Sequence, residues 1–120
     1  MKISQALREK TLLSFELFPP KTEKGMENLP GTIDHLMKYK PAYISCTYGA
    51  GGGNVGANRE VCQMIKKAGT TPVTHFTVIK NTKEGIKEQL DQYLAEGVDH
   101  MLALRGDIPL GETTTCGDFN

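Results

Sequence analysis

Four short apolar runs alternate with three amphipathic segments along this chain, and that alternation limits the fold more than any other feature. The runs cover residues 12–18, 42–48, 72–78 and 100–104. Each is strand-length and rich in β-branched, aromatic or large apolar side chains. The first amphipathic segment, residues 29–40, places Ile33, Leu36 and Met37 on one face. Asn28 is its expected N-cap, Pro30 suits a first turn that needs no backbone donor, and Pro41 stops it. The second, residues 58–68, carries a stripe of Val61, Met64, Ile65 and Ala68 and ends at Gly69. The third starts at Asn81, whose spacing to Glu84 suits a capping box. It repeats Ile86, Leu90, Tyr93 and Leu94 at the helical period and ends at Gly97. The order β-α-β-α-β-α-β predicts a parallel sheet with helical crossovers.

Loop chemistry narrows the choice. The αβ connections are short, whereas the βα connections are longer and richer in Gly and Pro, notably Pro19-Pro20-Lys21-Thr22 and residues 49–56. Long βα loops over tight αβ loops fit a (β/α)8 TIM barrel with its site on the C-terminal face. A doubly wound sheet would give the same string, but the first βα turn has no Gly-rich phosphate fingerprint. A complete barrel takes about 250 residues. This chain has 120, and residues 111–120 are polar where a fourth crossover helix would begin. Residues 1–120 therefore read as the first four β/α units of one truncated barrel domain. Half a barrel would leave sheet edges and apolar faces uncovered, and should need a partner or the missing half.

Composition excludes several classes. The net charge is zero, with Lys and Arg scattered, so no nucleic-acid partner is indicated. No apolar run approaches the roughly 20 residues of a membrane span, and residues 1–10 lack the apolar core of a signal peptide. The three cysteines, Cys46, Cys62 and Cys116, show no paired spacing, which argues against a zinc site or a disulfide framework. A reducing cytoplasm fits best.

In a parallel barrel the strand exits carry the chemistry. Here they deliver Glu16; Thr47 and Tyr48; His75 and Thr77; and Arg105-Gly106-Asp107. Glu16 lies among apolar neighbours in Phe15-Glu16-Leu17-Phe18. A carboxylate in apolar surroundings is disfavoured, which suits a general acid near neutral pH. The competing reading is a Glu turned to solvent or paired with a Lys, because strands alternate faces. Gly106 would allow close backbone approach to a ligand, and Asp107 would supply an acceptor or simply start a turn before Pro109. The 49–56 loop matches neither the P-loop nor the dinucleotide pattern. His75 reads equally as a cofactor contact and as a buried His bonded to a neighbour. His35 and His100 read as surface or structural, and no cysteine has a convincing catalytic partner in sequence.

Four motifs together resemble a known family, the methylenetetrahydrofolate reductases. They are Phe15-Glu16-Leu17-Phe18-Pro19-Pro20-Lys21-Thr22, Ile44-Ser45-Cys46-Thr47-Tyr48-Gly49-Ala50-Gly51-Gly52, Pro72-Val73-Thr74-His75-Phe76-Thr77 and Leu102-Ala103-Leu104-Arg105-Gly106-Asp107-Ile108-Pro109. The resemblance implies a TIM barrel that binds FAD and reduces 5,10-methylenetetrahydrofolate to 5-methyltetrahydrofolate with NADH or NADPH. It implies ping-pong hydride transfer through flavin N5, with Glu16 as the general acid that protonates folate N10. Asp107 matches a carboxylate beside flavin and folate. Thr47, Tyr48, Ala50, His75, Arg105 and Gly106 match FAD-contacting positions, with Thr47 also near the nicotinamide. A cytoplasmic role in one-carbon and methionine metabolism and a homo-oligomeric intact enzyme are implied too. The chain departs from the family at Val61, where Thr is frequent, and at Phe76 and Val78, where Leu and Cys are frequent. Two other readings stay open: a flavin-free barrel enzyme using Glu16 and Asp107, and a non-catalytic fragment or subunit.

Overall fold

The computed structural model describes residues 2–48, 55–79 and 81–107. A short helix α1 (Ile3–Glu9) precedes the alternation, which runs β1 (Ser14–Leu17), α2 (Glu23–Met37), β2 (Tyr43–Cys46), α3 (Val55–Ala68), β3 (Thr71–Thr77), α4 (Lys83–Ala95) and β4 (Met101–Leu104). The strands form one sheet in the order β1-β2-β3-β4, and every neighbouring pair is parallel. The register sets Glu16 beside Ser45, Ser45 beside Val73, and His75 beside Leu102.

Strand alternation divides the sheet into two faces. Ile44, Cys46 and Phe76 point to one of them and pack with Leu29 and Ile33 of α2, Val61, Cys62 and Ile65 of α3, and Tyr93 of α4. Burying side chains such as Ile33, Ile44, Ile65 and Phe76 contributes about 1.5–3 kcal/mol each. All three crossover helices thus cover the same face. A doubly wound sheet would carry helices on both faces and reverse its strand order. Sequential parallel strands with helices outside are the barrel arrangement.

Three helix starts differ from the sequence expectation. α2 begins about a turn and a half before Asn28, because Thr22 accepts the Gly25 amide at 3.0 Å and caps it. Pro30 then falls inside the helix, where it withholds a backbone donor and costs about 3 kcal/mol. Burial of Leu29 and Ile33 on either side offsets that cost. α4 is capped by Thr82, which accepts from Gly85 N at 3.1 Å, and not by Asn81. Asn81 instead donates to the Thr77 and Ile79 carbonyls and accepts from Gln89. α3 starts at Val55, so Asn58 lies inside it. The helix α1, not expected from its charged sequence, buries no residue. The helix ends fall as expected at Gly69 and Gly97, whose φ values of +103° and +80° suit a residue without Cβ.

No helix among the described residues is long and apolar enough to cross a membrane. β4 is exposed along its whole length, with Met101, Leu102 and Leu104 at 39%, 48% and 39%.

Candidate active site

The inner face of the sheet, opposite the helices, carries Ser14 and Glu16 of β1, Ser45 of β2, Val73 and His75 of β3, and Leu102 of β4. They line an open groove of about 770 Å³. Its lower end, with Ser14, Tyr43, Asp99 and His100, lies at the strand starts. In a barrel that end is filled by side chains, so only the upper rim belongs to the chemistry. There Glu16 Oε1 lies 3.0 Å from His75 Nε2 and accepts from Ser45 Oγ at 3.3 Å. Three adjacent strands therefore converge on one carboxylate oxygen.

The expectation of apolar surroundings for Glu16 is not met. Phe15 and Leu17 point to the helix-covered face, and the Glu16 side chain, half exposed, faces polar partners. Alternation separates residues that are neighbours in sequence. His75 is the better buried partner, its side chain only 13% exposed. With Nε2 turned to Glu16, Nδ1 is the ring nitrogen left for another group.

The remaining candidates are distributed around this centre. Thr47 follows β2 and is held on both sides of its backbone: its amide donates to Leu17 O at 3.0 Å, and its carbonyl accepts from Asn58 Nδ2 at 3.0 Å. The Tyr48 side chain turns the other way, into the helix layer, with its ring 5.4 Å from Phe76 and its hydroxyl donating to Gln89 at 2.7 Å. Burial pushes its phenol above the ordinary value. Arg105, Gly106 and Asp107 follow β4 at the same end of the sheet. Gly106 has φ +92°, a conformation that favours glycine; Arg105 Nε donates to the Gly106 carbonyl, and Asp107 is exposed. Ala50, most of the 49–56 loop and Cys116 lie outside the described residues. At the end of β3, Thr77 Oγ1 is buried with no hydrogen-bond partner among the described residues.

Sequence reasoning missed the importance of Asn58. Fully buried, it donates to the Cys46 and Thr47 carbonyls and accepts from Tyr93 Oη at 2.6 Å and Thr74 Oγ1 at 2.9 Å. It thereby fixes the exit of β2 to β3, α3 and α4. A polar residue three positions before the stripe residue Val61 was the available signal. Cys46 and Cys62 are both buried beside it, their thiols donating to the Thr47 carbonyl and to Asn58 Oδ1; the neighbouring Cys62 and burial push the Cys46 thiol up, which suits packing and not nucleophilic chemistry at that residue. No cluster of metal-ligating side chains is present among the described residues.

The architecture and this rim define a class: parallel β/α units of the barrel kind, with polar side chains gathered at the strand exits. Within that class the chain belongs to the methylenetetrahydrofolate reductase family, whose model matches residues 2–119. It is 38% identical over 98 residues to 5,10-methylenetetrahydrofolate reductase of Pectobacterium carotovorum, covering 81% of this chain and 33% of that protein. To the Escherichia coli K12 enzyme of that name it is 36% identical over 100 residues, covering 82% and 34%. To methylenetetrahydrofolate reductase (NADH) 1 of Zea mays it is 34% identical over 118 residues, covering 93% and 20%. The chain thus spans about a third of the bacterial relatives' length and a fifth of the maize protein's.

Proposed function

We propose that these residues are the N-terminal part of a cytoplasmic FAD-dependent reductase that converts 5,10-methylenetetrahydrofolate to 5-methyltetrahydrofolate, with NADH or NADPH as the electron source. The observation that carries the reading is the Glu16 carboxyl, presented on the inner face at the strand exits and held by side chains from two neighbouring strands. Bound FAD would supply the hydride. The rim fits a heteroaromatic ring with polar edges. Thr77 offers a buried hydroxyl without a partner among the described residues, and His75 has a ring nitrogen free of Glu16. Thr47, with its anchored backbone, and Arg105 and Gly106, at the exit of β4, would be the further contacts, with Tyr48 through its backbone, since its side chain is buried in the helix layer, and with Ala50.

Glu16 would donate a proton to folate N10, opening the five-membered ring to an iminium cation that accepts hydride. Asp107, an exposed carboxylate at the β4 exit, would stabilise that cation. The intact enzyme would complete the barrel with its remaining strands and assemble as a homo-oligomer. Anaerobic FAD titration of the protein tests the reading. A bound flavin that NADH or NADPH bleaches and methylenetetrahydrofolate re-oxidises is the expected result. A protein that stays colourless with excess FAD contradicts it.

A further inference from the structure

We propose that Ser45 is a positioning residue for the Glu16 acid: with His75 it occupies Oε1, leaving Oε2 to carry the exchangeable proton. The inference rests on the reading of Glu16 as the proton donor and adds the atom from which the proton leaves. Ser45 Oγ donates to Oε1 at 3.3 Å, and His75 Nε2 lies 3.0 Å from the same atom. Oε2 has no hydrogen-bond partner among the described residues. An oxygen that accepts the Ser45 hydroxyl and faces His75 Nε2 is the poorer site for a proton, so the two carboxyl oxygens are inequivalent before any substrate arrives.

Ser45 is suited to this task. The parallel register sets it beside Glu16, so the contact crosses one ladder step and needs no loop to form. The residue is largely shielded, at 9% exposure, so water competes poorly for the hydroxyl. The backbone just beyond it is fixed by Asn58 through the Cys46 and Thr47 carbonyls. A serine on the inner face is small enough to leave the rim open while supplying one donor. His75 alone could hold Oε1, but one contact leaves the carboxyl free to rotate about it; a second donor from another strand fixes the plane.

A hydrogen bond to the charged form favours that form, so removing the donor makes the carboxyl keep its proton to higher pH. The test reads Glu16 itself by carbon-13 NMR titration of its side-chain carboxyl and requires neither flavin nor turnover. In Ser45→Ala the titration is expected to move to higher pH, and in Ser45→Thr, which restores the hydroxyl, to return to the native position. In the unsubstituted protein the Ser45 Cβ signal should follow the Glu16 titration. An unchanged titration in Ser45→Ala, a shift that Ser45→Thr does not reverse, or a Ser45 signal indifferent to Glu16 each overturns the proposal. The Cβ measurement decides the matter if the alanine variant does not fold. None of these outcomes bears on whether Glu16 protonates folate, which the half-reactions of a Glu16 variant decide separately.

Discussion

Two side chains set the geometry of the rim, and the sequence exposed only one of them. Glu16 announced itself as a lone charge in an apolar run, but its neighbours in sequence are not its neighbours in space. The strand pleat sends Phe15 and Leu17 to the helices and Glu16 to Ser45 and His75. Asn58 stayed hidden because its partners lie on other elements: Cys46, Thr47, Thr74 and Tyr93 come from β2, the residue after it, β3 and α4. Replacing Asn58 with Leu would strand the buried Tyr93 hydroxyl and take a donor from the Cys46 and Thr47 carbonyls, while Thr74 keeps its bond to the His75 carbonyl. A loss of about 2–4 kcal/mol is expected, from about 1–3 kcal/mol per buried group left unsatisfied and partial relaxation of the rest. Urea denaturation of the variant measures it, and a change below about 0.5 kcal/mol, typical of a neutral surface position, would remove Asn58 from its role.

At the scale of elements, type and order of strands and crossover helices were legible, because apolar periods of two and 3.6 depend on local residues alone. The helix starts were not. Asn28 before Pro30 has the chemistry of an N-terminus, yet Thr22 caps α2 and the tertiary contacts of Leu29 and Ile33 carry the helix through the proline. Asn81 likewise resembles a cap, and its side chain ties the end of β3 to α4 instead. Substitutions separate the two readings. Thr22→Ala and Thr82→Ala should each cost about 1 kcal/mol through a lost cap bond. Asn28→Ala should stay within about 0.5 kcal/mol. Thermal or chemical unfolding of the three variants checks the order; a larger loss at Asn28 than at Thr22 would restore the later helix start.

At the scale of the whole molecule, and among the described residues, four sequential parallel strands with the crossover helices on one face leave the other face and both edges open. β4 shows the consequence most plainly. Its Met101, Leu102 and Leu104 remain more than a third exposed, and no helix among the described residues covers them. Apolar strand edges of this kind associate unless something covers them. Sedimentation velocity of these 120 residues by themselves should therefore show self-association that rises with concentration. A compact monomer across the concentration range would mean that the open face is stable in water. The sequential parallel order gives all four strands a common exit, which brings Glu16, Thr47, His75 and Asp107, spread over 92 positions from the first to the last, to one end of the sheet, as the proposed reaction requires.

The central claim is that the carboxyl gathered by Ser45 and His75 is the acid of folate reduction and has no part in the step that loads the flavin. Stopped-flow measurement of the two half-reactions in Glu16→Gln of the intact reductase tests it most directly. Flavin reduction by the nicotinamide nucleotide should proceed near the unsubstituted rate, while flavin re-oxidation by methylenetetrahydrofolate should be lost, by at least the roughly 10²–10⁴-fold that general acid catalysis supplies. Loss of both half-reactions to the same degree, or retention of the folate step, would contradict the account.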